Sequence, residues 1–232
     1  MKTVKFALGK TAPVFVSFMF IGIAFGAMMT GAGYSPLWTL AMSALIYAGS
    51  MQIAMVPLLV AGASPFSMAL MTLAVNGRHL FYGLSLIEKF ARYPLWQRIY
   101  MAFSLTDETY SILCSNQYPE GVNSKWADLL IALFNHIYWV FGSVAGALLS
   151  AGLPFDLTGI DFAATAFFTV VCVGQLKGTK NKNASYLGFL LAVGMLVLLG
   201  GDEFLLPALG VGTVILLVFQ KCFDNREEAA NE

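Results

Sequence analysis

The chain has 232 residues, 58% of them hydrophobic and only 11% charged, and its formal net charge is zero. Soluble domains carry about 25% charged residues, so an ordinary soluble globule is excluded and a polytopic, all-α membrane protein is expected. Without a basic or acidic block, the charge pattern also excludes nucleic acid as a partner.

A membrane-crossing helix needs about 20 mostly apolar residues. In chain order the candidate segments are 12–32, 38–62, 65–87, 99–115, 127–150, 160–176, 184–199 and 204–219. Lys2, Lys5 and Lys10 precede the first and give it a superficial likeness to a signal peptide. That run continues from Ala12 to Ala32 without a convincing cleavage site, so it reads as a retained first span. Segment 38–62 is interrupted by the polar, glycine-bearing string Tyr47-Ala48-Gly49-Ser50-Met51-Gln52, with Pro57 following. Segment 65–87 carries Asn76-Gly77-Arg78-His79-Leu80-Phe81-Tyr82-Gly83, and segment 99–115 carries Ser104-Leu105-Thr106-Asp107-Glu108 at its centre. Segment 127–150 contains Phe134-Asn135-His136-Ile137-Tyr138-Trp139. We read a single transmembrane domain over 1–223 and a short polar cytoplasmic tail over 224–232.

Lysine and arginine gather on the cytoplasmic side of membrane proteins. The N-terminus, the segment 88–98 (Lys89, Arg92, Arg98) and the loop 177–183 (Lys177, Lys180, Lys182) are basic. The connections near 151–161 and 200–203 have no lysine or arginine, their only charges being Asp156, Asp161, Asp202 and Glu203, and look external. Three full spans before residue 88 would place a basic loop outside. Either that loop breaks the rule and there are eight spans, or two segments are broken or re-entrant and six cross fully. In the second case 38–62 dips in from outside and 99–115 from inside. Both versions leave the two chain ends in the cytoplasm.

Non-helical backbone at membrane depth is tolerated only inside protein or along a water-filled cavity. Transporters use such breaks to bind polar solutes. Of the 26 Lys, Arg, Asp and Glu residues, only Arg78, Asp107 and Glu108 lie near the middle of an apolar segment, as do both histidines, His79 and His136. A charge at the bilayer centre costs roughly 2.5–3.5 kcal/mol on insertion scales, so it is rarely kept without a task. Two roles fit: Arg78 ties helices together through Asp107 or Glu108, or these groups line a transport route. An amino-acid solute suits the second, with its carboxylate on Arg78, on Asn76 or Gln52, or on a half-helix N-terminus, and its ammonium on Asp107, Glu108 or carbonyls. An imidazole such as His79 can exchange a proton near neutral pH.

Gly22 with Gly26, and Gly142 with Gly146, form two G-x-x-x-G spacings that let helices approach closely. Cys114, Cys172 and Cys222 have no zinc or redox spacing, and the chain holds no P-loop, potassium filter or zinc-hydrolase motif. No cofactor or metal is expected, and no enzyme. An intramembrane hydrolase would have to use Ser50 or Ser104 with His79.

The ordered strings Tyr47 to Gln52, Asn76-x-Arg78-His79-x-x-Tyr82-Gly83 and Leu105 to Glu108, with Phe25-Gly26 in the first span, resemble the AzlC family of branched-chain amino-acid exporters. By motif the resemblance covers about residues 12–115. It implies secondary export of leucine, isoleucine and valine, sometimes methionine, across a bacterial cytoplasmic (inner) membrane. It also implies a homo- or hetero-oligomer in the lipid bilayer, with a small AzlD-like membrane protein as partner. Carried onto this chain, it makes Tyr47, Ser50, Gln52, Asn76, Arg78, Tyr82 and Thr106 substrate-binding residues. His79, Asp107 and Glu108 become the proton-coupling set. An uncoupled channel or facilitator, and a non-transporting accessory subunit, are the rival readings.

Overall fold

The computed structural model describes residues 2–152, 169, 173, 183–200 and 204–218. All regular structure among them is helical: α1 (Lys2–Gly31), α2 (Pro36–Leu45), α3 (Gly49–Val60), α4 (Pro65–Asn76), α5 (Arg78–Ala91), α6 (Leu95–Phe103), α7 (Asp107–Ser115), α8 (Ser124–Gly152), α9 (Asn183–Leu199) and α10 (Leu205–Val218). The all-α expectation holds for the described residues. Helices α1 and α8 are long and apolar enough to cross a membrane, while α2, α3, α4 and the Tyr186–Leu199 part of α9 are shorter apolar helices. Apart from residues 169 and 173, the expected span 160–176 lies outside the described residues, as does the tail 224–232.

The described helices fall into two compact units, one drawn from Met1–Ala63 and Val75–Ala164, the other from Ser64–Ala74 and Thr165–Glu232. In the second unit α9 packs on α10. Phe189, Val197 and Leu198 of α9 stand exposed, as expected of a helix that is apolar all round and bathed in lipid.

The first unit is built on α1 and α8, which run parallel. Gly22 meets Gly142, Gly26 meets Ser143 and Ala147, and Gly146 meets Ile23. The two small-residue faces legible in the sequence are thus the two sides of one interface. A Cβ placed on Gly26 would stand 2.6 Å from the Ala147 nitrogen, and one on Gly146 2.6 Å from the Ile23 Cα. Only glycine fits at either position. Phe18 and Phe25 then close on the buried Trp139 ring, with centroids 5.5 and 5.9 Å away.

Both segments expected to break do so, between α2 and α3 at residues 46–48 and between α6 and α7 at 104–106. Helices α6 and α7 form a hairpin against α8. Gln97 near the α6 start donates to the Lys125 carbonyl (2.6 Å), and Phe103 at its end packs edge-on against His136 (5.6 Å). On the return, Thr109 sits beside Asn135, and Leu113 lies near the level of Asp128 through their shared partner Lys89. Helix α2 approaches α8 from the opposite end, with Leu40 beside Val144 in one groove and Ser43–Ala44 against His136. The two breaks therefore arrive from opposite ends and stop at one level of α8.

The segment 65–87, expected as one continuous crossing, is interrupted at Gly77. Glycine is a poor helix former and the string around it is polar. Helix α5 instead continues through Glu88 and Lys89, which favour helix, so the basic stretch 88–98 is loop only over Arg92–Pro94. Pro94 disfavours helical backbone in the residue before it, and α6 begins just after.

One end of this unit is tied by a polar cluster. Asp128 is fully buried and pairs with Lys89 at 2.8 Å. The Tyr93 hydroxyl donates to Asp128 Oδ2 (2.6 Å), and the Tyr118 hydroxyl donates to Oδ1. Lys89 Nζ also donates to the Tyr118 hydroxyl and to the Leu113 carbonyl (2.8 and 3.0 Å). Burial, reinforced by the bond to Asp128, pushes the Tyr93 and Tyr118 hydroxyls well above the ordinary tyrosine range. The N-terminus reaches the same end, where the Asn123 N–H donates to Thr3 Oγ1 and Phe6 packs on Tyr118.

Candidate functional site

Tyr47 holds the first break in shape. Its φ of 45° lies in the left-handed region, which bulky L-residues rarely adopt. Strained backbone of this kind persists only when its surroundings over-determine it. Here the buried ring packs against His136 with centroids 4.3 Å apart and against Phe103 at 6.3 Å. The Tyr47 hydroxyl is buried without a hydrogen bond of ordinary geometry and is turned toward Thr106, Thr109 and Glu108.

Gln52, on the first turn of α3, is fully buried. Its Oε1 accepts from the Ala48 N–H and from Trp139 Nε1, both at 3.0 Å. The side chain reaches back over the break, satisfying one backbone donor there, and binds the break to α8. Its Nε2 is buried with no partner. Ser50 stands half-buried in the same turn.

At the second break Thr106 is the N-cap of α7, its hydroxyl oxygen accepting from the Thr109 N–H at 3.3 Å. This is the usual device for satisfying a free helix-end donor. Asp107 and Glu108 follow in the first turn, where the helix dipole favours negative charge. Thr109 Oγ1 accepts from Thr106 (3.2 Å) and from Asn135 Nδ2 (3.0 Å), so the α7 start is fastened to α8. Asn135 is fully buried and its Oδ1 has no partner. His136, next along α8, lies with Nδ1 3.2 Å from the Tyr100 hydroxyl.

The third string joins through Tyr82, whose ring stacks on Tyr110 of α7 at 4.2 Å and 13°. His79 packs edge-on to Tyr82 (5.4 Å), and its Nδ1 donates to the Asn76 carbonyl at 3.0 Å. That bond spans the Gly77 interruption. His79 also borders an apolar cavity of about 600 Å³ between α5 and α6, where Leu84, Phe90 and Leu105 are among the lining residues and Arg98 is the other charged or titratable one. The Arg78 side chain lies outside the described residues, and with it the expected pairing to Asp107 or Glu108.

Tyr47, Gln52 and Thr106 are thus gathered around α8, with Asp107 and Glu108 following the Thr106 cap, while Tyr82 and His79 reach the group through α7. Ser50 shares the first turn of α3 with Gln52, and Asn76 meets His79 through its backbone carbonyl. Sequence reasoning passed over Asn135, Thr109 and Trp139, which organise the meeting point. The one signal was a second polar residue, Asn135, next to His136 in an apolar run.

The AzlC protein family profile matches residues 13–153. The branched-chain amino acid transport protein AzlC of Bacillus subtilis is 35% identical over 217 residues, covering 94% of this chain and 85% of its own. An uncharacterized membrane protein of Helicobacter pylori is 37% identical over 221 residues, covering 95% and 96%. The inner membrane protein YgaZ of Escherichia coli is 33% identical over 150 residues, covering 61% and 58%. No solved structure matches. With over half its length in the profile and two relatives matched nearly end to end, the chain belongs to the AzlC family, membrane proteins of transport and not enzymes.

Proposed function

We propose that this chain is the permease subunit of a secondary exporter of leucine, isoleucine and valine, and sometimes methionine, working by proton antiport. It sits as a multi-pass protein in a bacterial cytoplasmic membrane with both ends in the cytoplasm, beside a small AzlD-like membrane partner. The observation that carries the reading is the meeting of two interrupted helices on α8, with Tyr47, Gln52 and Thr106 at the junction and two carboxylates in the next turn. Broken helices at one depth supply polar groups to a solute while their flanks stay in apolar surroundings. The substrate contacts are Tyr47, Ser50, Gln52, Asn76, Arg78, Tyr82 and Thr106. His79, Asp107 and Glu108 carry the proton, and the apolar cavity beside His79 suits an aliphatic side chain.

Labelled-leucine counterflow in proteoliposomes, with and without the small partner and with an imposed pH gradient, tests this. We expect gradient-dependent flux that Asp107→Asn or Glu108→Gln uncouples, leaving exchange intact. Flux indifferent to the gradient would identify an uncoupled facilitator, and flux unaltered by Tyr47→Ala and Thr106→Ala would remove the site assignment.

A further inference from the structure

The site already described contains polar atoms with nothing to bond, and their chemistry is not uniform. Gln52 Oε1 accepts twice, from Ala48 and from Trp139. Turning the amide over would set its NH2 against two other donors, so chemistry fixes which end is which. The NH2 group is therefore a positioned donor, fully buried and without an acceptor. It lies at the start of α3, because its own amide oxygen holds Ala48, the N-cap of that helix. No side chain caps α3. A buried amide donor and an uncapped helix N-terminus together form a place for a carboxylate.

Asn135 is the opposite case. Its Nδ2 is spent on Thr109, and its buried Oδ1, an acceptor, is left without a donor. The Tyr47 hydroxyl, also buried and without a hydrogen bond of ordinary geometry, is turned toward the same Thr109. These are acceptors for an ammonium group.

The two halves are anchored on α8 at residues one helical turn apart. Asn135 and Trp139 share a face of α8, and side chains so spaced stand about 5–6 Å apart at Cβ. Gln52 is bonded to Trp139 and Asn135 to Thr109, so the two halves are anchored on neighbouring turns of α8. In an α-amino acid the carboxylate and ammonium are borne on one carbon. With a hydrogen bond of about 2.9 Å at each end, a zwitterion suits groups anchored at such a spacing.

We propose that the junction reads a free α-amino acid by both charged ends: Gln52 Nε2 and the α3 N-terminus take the carboxylate, and Asn135 Oδ1 with the Tyr47 hydroxyl takes the ammonium. The proposal rests on the export reading above and adds Asn135 as a binding residue. N-acylated amino acids and amino-acid amides are excluded as substrates, whatever their side chain.

The test is competition against labelled-leucine counterflow by the full chain with its small partner, using leucine, leucinamide and 4-methylpentanoate. A site built to bond both groups rejects analogues lacking either, so each should compete at least about 100-fold worse than leucine. Gln52→Glu keeps the oxygen that serves Ala48 and Trp139 but removes the NH2. Leucine's advantage over leucinamide should shrink at least about tenfold, while its advantage over 4-methylpentanoate stands. Asn135→Leu should do the reverse. Asn135→Asp, which loses the same donor to Thr109 but keeps an acceptor oxygen, should retain the wild-type ratios. The wild-type ratios test the idea without any variant: either analogue competing as well as leucine overturns it. Asn135→Asp failing together with Asn135→Leu, with all three ligands weakened equally, assigns Asn135 to structure and also overturns it. Absence of counterflow with any amino acid in the folded wild-type complex instead overturns the export reading itself.

Discussion

Asp128 is fully enclosed, and its neighbours show what enclosure demands of a single residue. A buried carboxylate is stable only when its charge and both oxygens are served, here by Lys89, Tyr93 and Tyr118. Lys89→Met would leave that charge uncompensated, and we expect a loss of about 3–5 kcal/mol in denaturation of the detergent-solubilised protein. The double variant Lys89→Met with Asp128→Leu should recover part of it, since an apolar pair of similar volume does not carry the desolvation cost. The tyrosines add a pH dependence with a definite sign. Their raised values mean that the folded state favours the neutral hydroxyl. The associated stability is complete below the ordinary tyrosine pKa of about 10 and is lost as pH rises toward the raised values. Melting followed from pH 8 upward should fall steeply in the wild type, and Tyr118→Phe should flatten the alkaline limb. None of this cluster was legible in the sequence. Asp128 lies near the edge of an apolar run and Lys89 lies 39 positions earlier, and only the hairpin of α6 and α7 brings them together.

Among the elements, the α1–α8 pair is the tightest contact and the most legible. Its two G-x-x-x-G faces are visible as spacing because close helix approach tolerates no side chain there. Gly146→Ala should force the helices apart and lower stability by about 1–3 kcal/mol. Gly9→Ala in the same α1 helix meets nothing within 4 Å and should be neutral or slightly stabilising, by the same thermal measurement. The two broken segments were legible for a related reason. A glycine-bearing polar string inside an apolar run has no stable place in continuous lipid-facing helix. The interruption at Gly77 was not anticipated, because hydropathy averages over it and the run of 65–87 looks unbroken. Asn135 escaped for a different reason: one amide in a helix of 29 residues has no periodic signature. Its significance comes from Thr109, on another helix, and from an oxygen left unbonded.

At the scale of the molecule, the positive charges give the orientation a structural counterpart. Within the first unit, Lys2 lies by Gly121, Thr3 by Asn123, and Lys89 by Asp128, so the basic N-terminus and the basic turn after α5 share one end. That arrangement supports the six-crossing alternative, in which 38–62 and 99–115 dip in from opposite sides. With the native cysteines replaced, Arg92→Cys should be labelled by an impermeant thiol reagent only from the cytoplasmic face, and Gly33→Cys only from outside. Labelling of both from outside would return the count to eight crossings.

The parallel pairing of α1 with α8 also bears on how the protein is made. About 90 residues separate the end of α1 from the start of α8. At 5–20 residues per second, a ribosome needs roughly 5–20 s to supply them. For that interval α1 lacks the partner for its glycine face, and α3 has not yet received the Trp139 that fastens it. The nascent chain therefore cannot mature span by span. It waits for α8, and a membrane chaperone or protease has that window in which to act on it.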